Sequence, residues 1–262
     1  MARAGGRLLI RAVLLDLFDT LVDLPMGALP RLPLGGREVP TTAGAVHAAL
    51  APHAPGIGFE AFAAALREVD RRMHADYWGQ GRELPTPLRF AAVLERLGVP
   101  DRDGALAQAL TRAHMGVLVG IARTPAHHPA VLDRLRAHAR LGLCSNWSWT
   151  PAALEILERG GLRARLDALA ISADVGLRKP RGELFAAALD ALGVAPGEAI
   201  HVGDNLEADV AGAAALGIRT VWITRCVGDP DAARAAAPTV RPDWVIADLG
   251  ELEAIVAGAR GG

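Results

Sequence analysis

Four short segments carry residue types that can do chemistry, each at or just beyond the end of an apolar run. Asp16 opens Asp16-Leu17-Phe18-Asp19-Thr20-Leu21, where a carboxylate can serve as nucleophile or metal ligand. Cys144-Ser145-Asn146 offers a hydroxyl and adjacent backbone N–H groups, able to hold an anionic oxygen. Gly176-Leu177-Arg178-Lys179-Pro180 supplies Lys179, a compact cation able to neutralise a carboxylate or a phosphate. In His201-Val202-Gly203-Asp204-Asn205-Leu206-Glu207-Ala208-Asp209, the carboxylates of Asp204 and Asp209 are spaced to suit a hard, oxygen-seeking cation such as Mg²⁺. Alone, each segment has a plainer reading. Asp16 can cap a strand-end turn, Ser145-Asn146 can be a turn, Lys179 can sit on a surface loop, and Asp209 can be a helix-capping acid.

The elements that must position these residues are legible in the periodicity. Apolar runs at residues 12–17, 141–145, 168–172, 199–203, 219–223 and 244–246 have the length of buried strands. Helix-length segments lie between the later ones. Residues 151–159 follow Thr150, a suitable N-cap, and residues 182–192 and 206–216 stop at Gly193 and Gly217. Strand and helix in alternation predict a Rossmann-like α/β core, a parallel sheet with helices on both faces. Ligands of such sheets bind beyond the carboxyl ends of the strands, where Asp16, Ser145 and Asp204 fall. More than a hundred residues separate the first two runs, with helical patterns near 42–50, 59–77, 86–97 and 103–121. A helical domain inserted at residues 24–123 fits this better than a long loop. The expected division is a core of residues 1–23 and 124–262 and a helical cap of residues 24–123.

The four segments taken in order resemble the haloacid dehalogenase superfamily of hydrolases. The resemblance covers residues 10–21 and 141–223, and is most specific in Lys179-Pro180 and in the segment from Gly203 to Asp209. It implies that Asp16 is the nucleophile and forms a covalent aspartyl intermediate. It implies that Thr20 and Ser145 position the substrate anion, with Asn146 beside them, and that Lys179 stabilises charge on Asp16 and on the transferring group. Mg²⁺ would be bound by Asp16, the backbone carbonyl of Phe18 and Asp204, with support from Asp209. The cation would offset repulsion between nucleophile and phosphate. The implied substrate is a small phosphate ester.

One position departs from that pattern. Phosphatases of the family carry a second acid two residues after the nucleophile, to protonate the leaving oxygen and then activate water. Here that residue is Phe18, and Asp19 is one further on. On an extended backbone Asp19 would point to the opposite face and be no simple substitute. An aromatic residue here resembles the dehalogenase branch, which expels halide without a proton or a metal. The Gly203-Asp204 segment resembles the metal-binding phosphatase branch. Crowding Asp16, Asp204 and Asp209 without a cation would be costly, which favours a Mg²⁺-dependent phosphatase. The alternatives are a metal-independent 2-haloacid dehalogenase and a catalytically weak phosphoester-binding or partner-binding protein.

Bulk properties narrow the rest. The chain has 262 residues, formal net charge −1 and no basic run, which argues against a nucleic-acid partner. No apolar stretch is long enough to span a membrane. Arg3 and Arg7 precede an apolar stretch at residues 8–18, but Arg11 and Asp16 interrupt it and no cleavage site follows. Cys144 and Cys226 read as unpaired, reduced thiols of a cytoplasmic protein. His127 and His128 read as solvated loop residues, and His201 as a packed, hydrogen-bonded core residue. Trp147 and Trp149 read as packing residues, while Tyr77, Trp78 and Arg82 of the insertion are candidates to face substrate. The insertion contains no lysine, which argues against Schiff-base phosphonate chemistry.

Overall fold

The computed structural model describes residues 9–34 and 36–261. Arg3, Arg7 and Leu8, at the start of the signal-like stretch, lie outside the described residues. In chain order the elements are β1 (Ala12–Leu15), β2 (Arg31–Leu34), β3 (Arg37–Pro40), α1 (Ala43–Leu50), α2 (Phe59–Asp76), α3 (Thr86–Arg96), α4 (Ala105–Ile121), α5 (His128–Arg136), β4 (Arg140–Ser145), α6 (Thr150–Arg159), β5 (Ala168–Ile171), α7 (Ser172–Val175), α8 (Gly182–Leu192), β6 (Ala199–Gly203), α9 (Gly212–Ala215), β7 (Arg219–Ile223), α10 (Pro230–Ala236), β8 (Trp244–Ile246) and α11 (Leu252–Gly261). The chain divides into two compact units. One comprises the chain up to Asp23, Arg123–Asn146 and the chain from Leu157 onward; the other comprises Leu24–Ala122 and Trp147–Ile156.

The first unit is built on a six-stranded sheet of order β5-β4-β1-β6-β7-β8, parallel throughout. β1 is central, and all four of its residues are buried, as expected for a strand covered on both faces. Its register pairs Leu15 with Leu143 of β4 and with Val202 of β6. The carboxyl ends of the three strands that carry Asp16, Ser145 and Gly203 therefore lie side by side. α8 buries Leu184, Phe185, Ala188, Leu189 and Leu192 along one face. These pack with Ala12, Leu14, Cys144 and Ala170 of the sheet. Each such Leu or Phe contributes about 1.5–3 kcal/mol of burial. The helix stops at Gly193 (φ 63°), a left-handed terminator.

Two elements differ from the sequence reading. Residues 206–216 are not one α-helix: Leu206–Ala211 forms a π-helical turn before α9. The cause is local. The Asn205 side chain accepts from the N–H groups of Glu207 and Ala208, and its carbonyl accepts from Asp209 and Val210, which widens the first turn. Such turns recur at functional sites. The Pro/Gly-rich stretch after Leu24 contains an antiparallel hairpin of β2 and β3 rather than connection alone. Pro33 and Pro40 mask the strand signal, yet a two-stranded ribbon tolerates proline because each strand is an edge.

The second unit packs α1 to α4 around Val46, Leu50, Phe62, Phe90, Leu94 and Leu110. Arg89 donates to both Asp70 oxygens at 2.6 and 2.8 Å. Thr86 N–H donates to the Ser148 carbonyl at 2.9 Å, and the two hydroxyls lie 2.7 Å apart. These bonds attach the Trp147–Ile156 segment to this unit. Among the described residues no helix is long and apolar enough to cross a membrane.

Candidate active site

Lys179 is the only lysine in the chain, and it organises the site. Its ammonium donates to Asp16 Oδ1 at 2.6 Å, Asp209 Oδ1 at 2.6 Å and the Cys144 carbonyl at 2.7 Å. An ammonium has three donors, so all are spent. Lys179 and Asp209 are almost wholly buried, and Asp16 is 8% exposed. Burial opposes the ammonium, but the charges of Asp16 and Asp209 outweigh it and raise the Lys179 pKa. Burial also opposes the Asp209 carboxylate, and there Lys179 and His201 win and lower its pKa.

The backbone of Lys179 is held as firmly as its head. Asn146 Oδ1 accepts from Lys179 N–H at 2.8 Å, and Asn146 Nδ2 donates to the Lys179 carbonyl at 3.0 Å. The residue expected beside the substrate anion thus spends its amide oxygen and one N–H on Lys179. Ser145 is buried at the end of β4. Thr20 is fully buried, and its hydroxyl has no hydrogen-bond partner. An orphaned buried hydroxyl costs about 1–3 kcal/mol, which a bound anion would recover.

Asp209 is committed at both oxygens. Oδ1 takes Lys179 and the His201 ring at 2.9 Å, and Oδ2 takes the Asn205 N–H at 3.0 Å. His201 is the packed core residue expected, edge-on to Phe185 at 5.0 Å between ring centroids. Gly203 is required here, because a Cβ would lie 2.2 Å from Asp209 Cγ. Asp204 is held from behind: Trp222 Nε1 donates to its carbonyl at 2.7 Å. Burial first, then the negative charges of Asp16, Asp209 and Asp19, push the Asp204 carboxyl up to about 7. Ligand oxygens of Asp16, Asp204 and Asp209 lie within 4.8 Å of one another.

The segment after Asp16 is not extended. Leu21 and Val22 N–H groups both donate to the Leu17 carbonyl, and Asp19 takes a left-handed φ of 57° while its N–H donates to Val22. Asp19 therefore does not sit on an extended strand, and the alternation of faces does not apply to it. Asp19 is near enough for its charge to be felt at Asp204. The two histidines are not both solvated loop residues. His127 is exposed, but His128 is fully buried on the first turn of α5, its Nδ1 bonded to the Leu21 carbonyl at 2.8 Å. A residue beside Pro129 and ahead of Val131 and Leu132 shares their inward face, which overrides its polarity.

Sequence reasoning missed Trp222 and the Cys144 carbonyl. One acts through a ring N–H and the other through backbone, and neither leaves a signal in residue type. Both cysteines are free, as expected. In the helical unit Arg82 stacks over Tyr77 at 4.7 Å, and Trp78 Nε1 donates to Glu83 at 3.3 Å.

A parallel sheet carrying Asp16, Ser145 and Asp204 at or just past its strand ends, with the buried Lys179 and Asp209 brought against the first carboxylate, defines an α/β hydrolase. The chain belongs to the haloacid dehalogenase-like hydrolase family, whose model matches residues 10–217. It is 34% identical over 243 residues to the phosphoserine phosphatase of Thermus thermophilus, covering 86% of this chain and 93% of that one. Its fold matches a 2-haloacid dehalogenase from Pseudomonas syringae (TM-score 0.67, 24% identity, 95% of this chain and 99% of that one). It also matches the HAD-hydrolase YfnB of Bacillus subtilis bound to magnesium (TM-score 0.58, 19% identity, 95% and 99%). Phosphoester hydrolysis is supported at the level of the family.

Proposed function

We propose that this chain is a Mg²⁺-dependent phosphatase that hydrolyses a small phosphate ester through an aspartyl-phosphate on Asp16. The observation that carries the reading is the cluster of Asp16, Asp204 and Asp209 oxygens within 4.8 Å, braced by a single buried ammonium. One ammonium against three carboxylates leaves negative charge uncompensated, and that charge adds to burial in raising the Asp204 pKa. That donor set fits a hard divalent cation. Asp16, Asp204 and the Phe18 carbonyl would hold it, with Asp209 supporting; when bound it supplies charge neutralisation at the phosphate. The magnesium reported with YfnB agrees with this choice.

The chain's own groups then divide the work. Lys179 occupies Asp16 Oδ1, so Oδ2 is the atom available to attack phosphorus. The new O–P bond forms as the ester P–O bond breaks, and the electron pair leaves with the ester oxygen. Water then attacks phosphorus as the bond to the Asp16 oxygen breaks, one of its protons ends on the released alcoholate, and inorganic phosphate leaves with the Asp16 carboxylate restored. Thr20 and Ser145 receive the phosphoryl oxygens, while the Lys179 charge, its three donors bonded within the protein, offsets the negative charge on Asp16 and on the transferring group. Asn146 serves by holding Lys179, and residues 24–123 act as the cap domain that selects the substrate. The two free thiols favour a cytoplasmic setting.

Phe18 favours a second reading, 2-haloacid dehalogenation, which needs no leaving-group proton. The deciding experiment is hydrolysis of p-nitrophenyl phosphate with Mg²⁺ and with EDTA, alongside Asp16→Asn. Turnover that needs Mg²⁺ and is lost in the variant supports the phosphatase. No turnover, together with chelator-insensitive halide release from a 2-haloacid, overturns it.

A further inference from the structure

We propose that His127, His128 and Asp248 form a second metal site, for a borderline transition-metal ion of the Zn²⁺, Co²⁺ or Ni²⁺ type, distinct from the Asp16–Asp204 cluster. The three residues offer ligand atoms that all lie within 4.8 Å of one another. The donor set is two imidazoles and a carboxylate. Imidazole selects zinc and its neighbours, whereas magnesium prefers oxygen alone.

The decisive residue is His128. It is fully buried, and its Nδ1 lies 2.8 Å from the Leu21 carbonyl. A carbonyl only accepts, so Nδ1 carries the proton and Nε2 carries the free lone pair. That Nε2 is buried and has no hydrogen-bond partner. A histidine with one ring nitrogen donating to a backbone carbonyl and the other bare has the tautomer of a metal ligand. As an ordinary core histidine it would leave a polar atom unpaired at a cost of about 1–3 kcal/mol.

The other two ligands complete the set. His127 Nε2 sits 3.0 Å from both Asp248 oxygens. A tetrahedral ion with ligands at about 2.0–2.2 Å needs them about 3.3–3.6 Å apart, so this pair is already near the required spacing. The His127 and His128 rings meet edge to face, with centroids 4.7 Å apart. Asp248 Oδ1 is oriented by the Gly250 N–H at 2.8 Å. The neighbouring Arg225, whose charge is felt at Asp248, is itself paired with Asp23. The His127 side chain is about half exposed, so it can turn inward as the ion enters. Three protein ligands leave a fourth position for water. The ion would join the loop that follows the nucleophile, through Leu21, to the start of α5 and to the segment that leads into α11.

The test uses the full chain without a histidine tag, in excess Mg²⁺ so that the carboxylate cluster is occupied. Co²⁺ is titrated by its visible absorption and Zn²⁺ by calorimetry and thermal melting. Variants are His127→Ala and Asp248→Asn, the latter keeping the capping oxygen, with Asp204→Asn as control. The expected result is one ion per chain with an imidazole-type Co²⁺ spectrum and a Zn²⁺-dependent rise in Tm. Affinity should fall more than about 10-fold in His127→Ala and Asp248→Asn. It should be unchanged in Asp204→Asn. Absence of binding, or binding weakened only by Asp204→Asn, overturns the proposal. Hydrolytic activity of His127→Ala in Mg²⁺ checks that this variant is folded.

Discussion

Asn146 clasps the backbone of Lys179 at both ends, accepting from its N–H at 2.8 Å and donating to its carbonyl at 3.0 Å. The two residues are 33 positions apart, one just past β4 and the other in the loop between α7 and α8. The clasp sets the height from which the lysine side chain reaches Asp16, Asp209 and the Cys144 carbonyl. Asn146→Ala removes both bonds and leaves a part-buried N–H unpaired. Each lost partner costs about 1–3 kcal/mol. We expect a kcat lower by about 10- to 100-fold and a smaller change in KM, since a misplaced lysine weakens the transition state more than substrate capture. Steady-state kinetics on an aryl phosphate, with circular dichroism to confirm folding, measures this. An unchanged kcat would remove the clasp from the mechanism.

Because Lys179 is the sole lysine, its environment can be read with an amine-directed reagent. Acylation requires a neutral, accessible amine. Here the amine is buried, bonded three times and held charged by two carboxylates. Peptide mapping after acetic anhydride treatment should find Lys179 unmodified in the native protein and modified after unfolding in guanidinium. Asp16→Asn removes one of the two neighbouring charges, so native protection should weaken. Rapid labelling of the native wild type would contradict the buried cluster.

How much of this was legible in the sequence depends on how local the cause is. β6, β7 and β8 fall on residues 199–203, 219–223 and 244–246, because apolar runs of that length bounded by turns specify buried strands directly. Asp16 and Asp204 were visible for the same reason, each at the end of such a run, and Lys179 as the lysine ahead of Pro180 in the segment before α8. The Asn146 clasp, the Trp222 bond to the Asp204 carbonyl and the lysine bond to the Cys144 carbonyl were not. Each joins residues distant in sequence through backbone atoms that every residue possesses. The left-handed turn at Asp19 was hidden because aspartate is only occasionally found there, and its type does not announce it. The burial of His128 was hidden by its neighbour, since two adjacent histidines read as one polar pair although helix geometry sends them to different surroundings.

Phe18 at the usual acid/base position makes the leaving group decisive. A missing general acid typically costs about 10²–10⁴-fold, and the cost falls as the leaving oxygen becomes more acidic. We expect kcat/KM to fall steeply from p-nitrophenyl phosphate to phenyl phosphate to alkyl phosphates. Asp19 supplies the counter-test, since its turn lies within electrostatic reach of Asp204. If Asp19 donates the proton, Asp19→Asn slows alkyl phosphates far more than p-nitrophenyl phosphate. If it does not, both slow equally or not at all. A flat leaving-group dependence that becomes steep in Asp19→Asn would identify Asp19 as the acid.

The helical unit should lose stability in mild acid through His114. Its Nδ1 lies 2.7 Å from the Thr42 hydroxyl, and its ring meets Phe90 at 5.6 Å between centroids. Burial first, and the nearby Arg89 charge second, push its pKa down to about 3 from an ordinary 6.5. Between those values the unfolded chain binds a proton that the folded one refuses. Stability is therefore fully present above pH 6.5 and declines as pH falls toward 3. The limiting slope for one group is about 1.4 kcal/mol per pH unit. His114→Gln cannot protonate, so it should be less stable than wild type at pH 7 yet lose less between pH 6.5 and 4. Urea unfolding across that range measures the difference, which cancels the carboxylates common to both proteins. Parallel curves would mean that His114 titrates normally in the folded state.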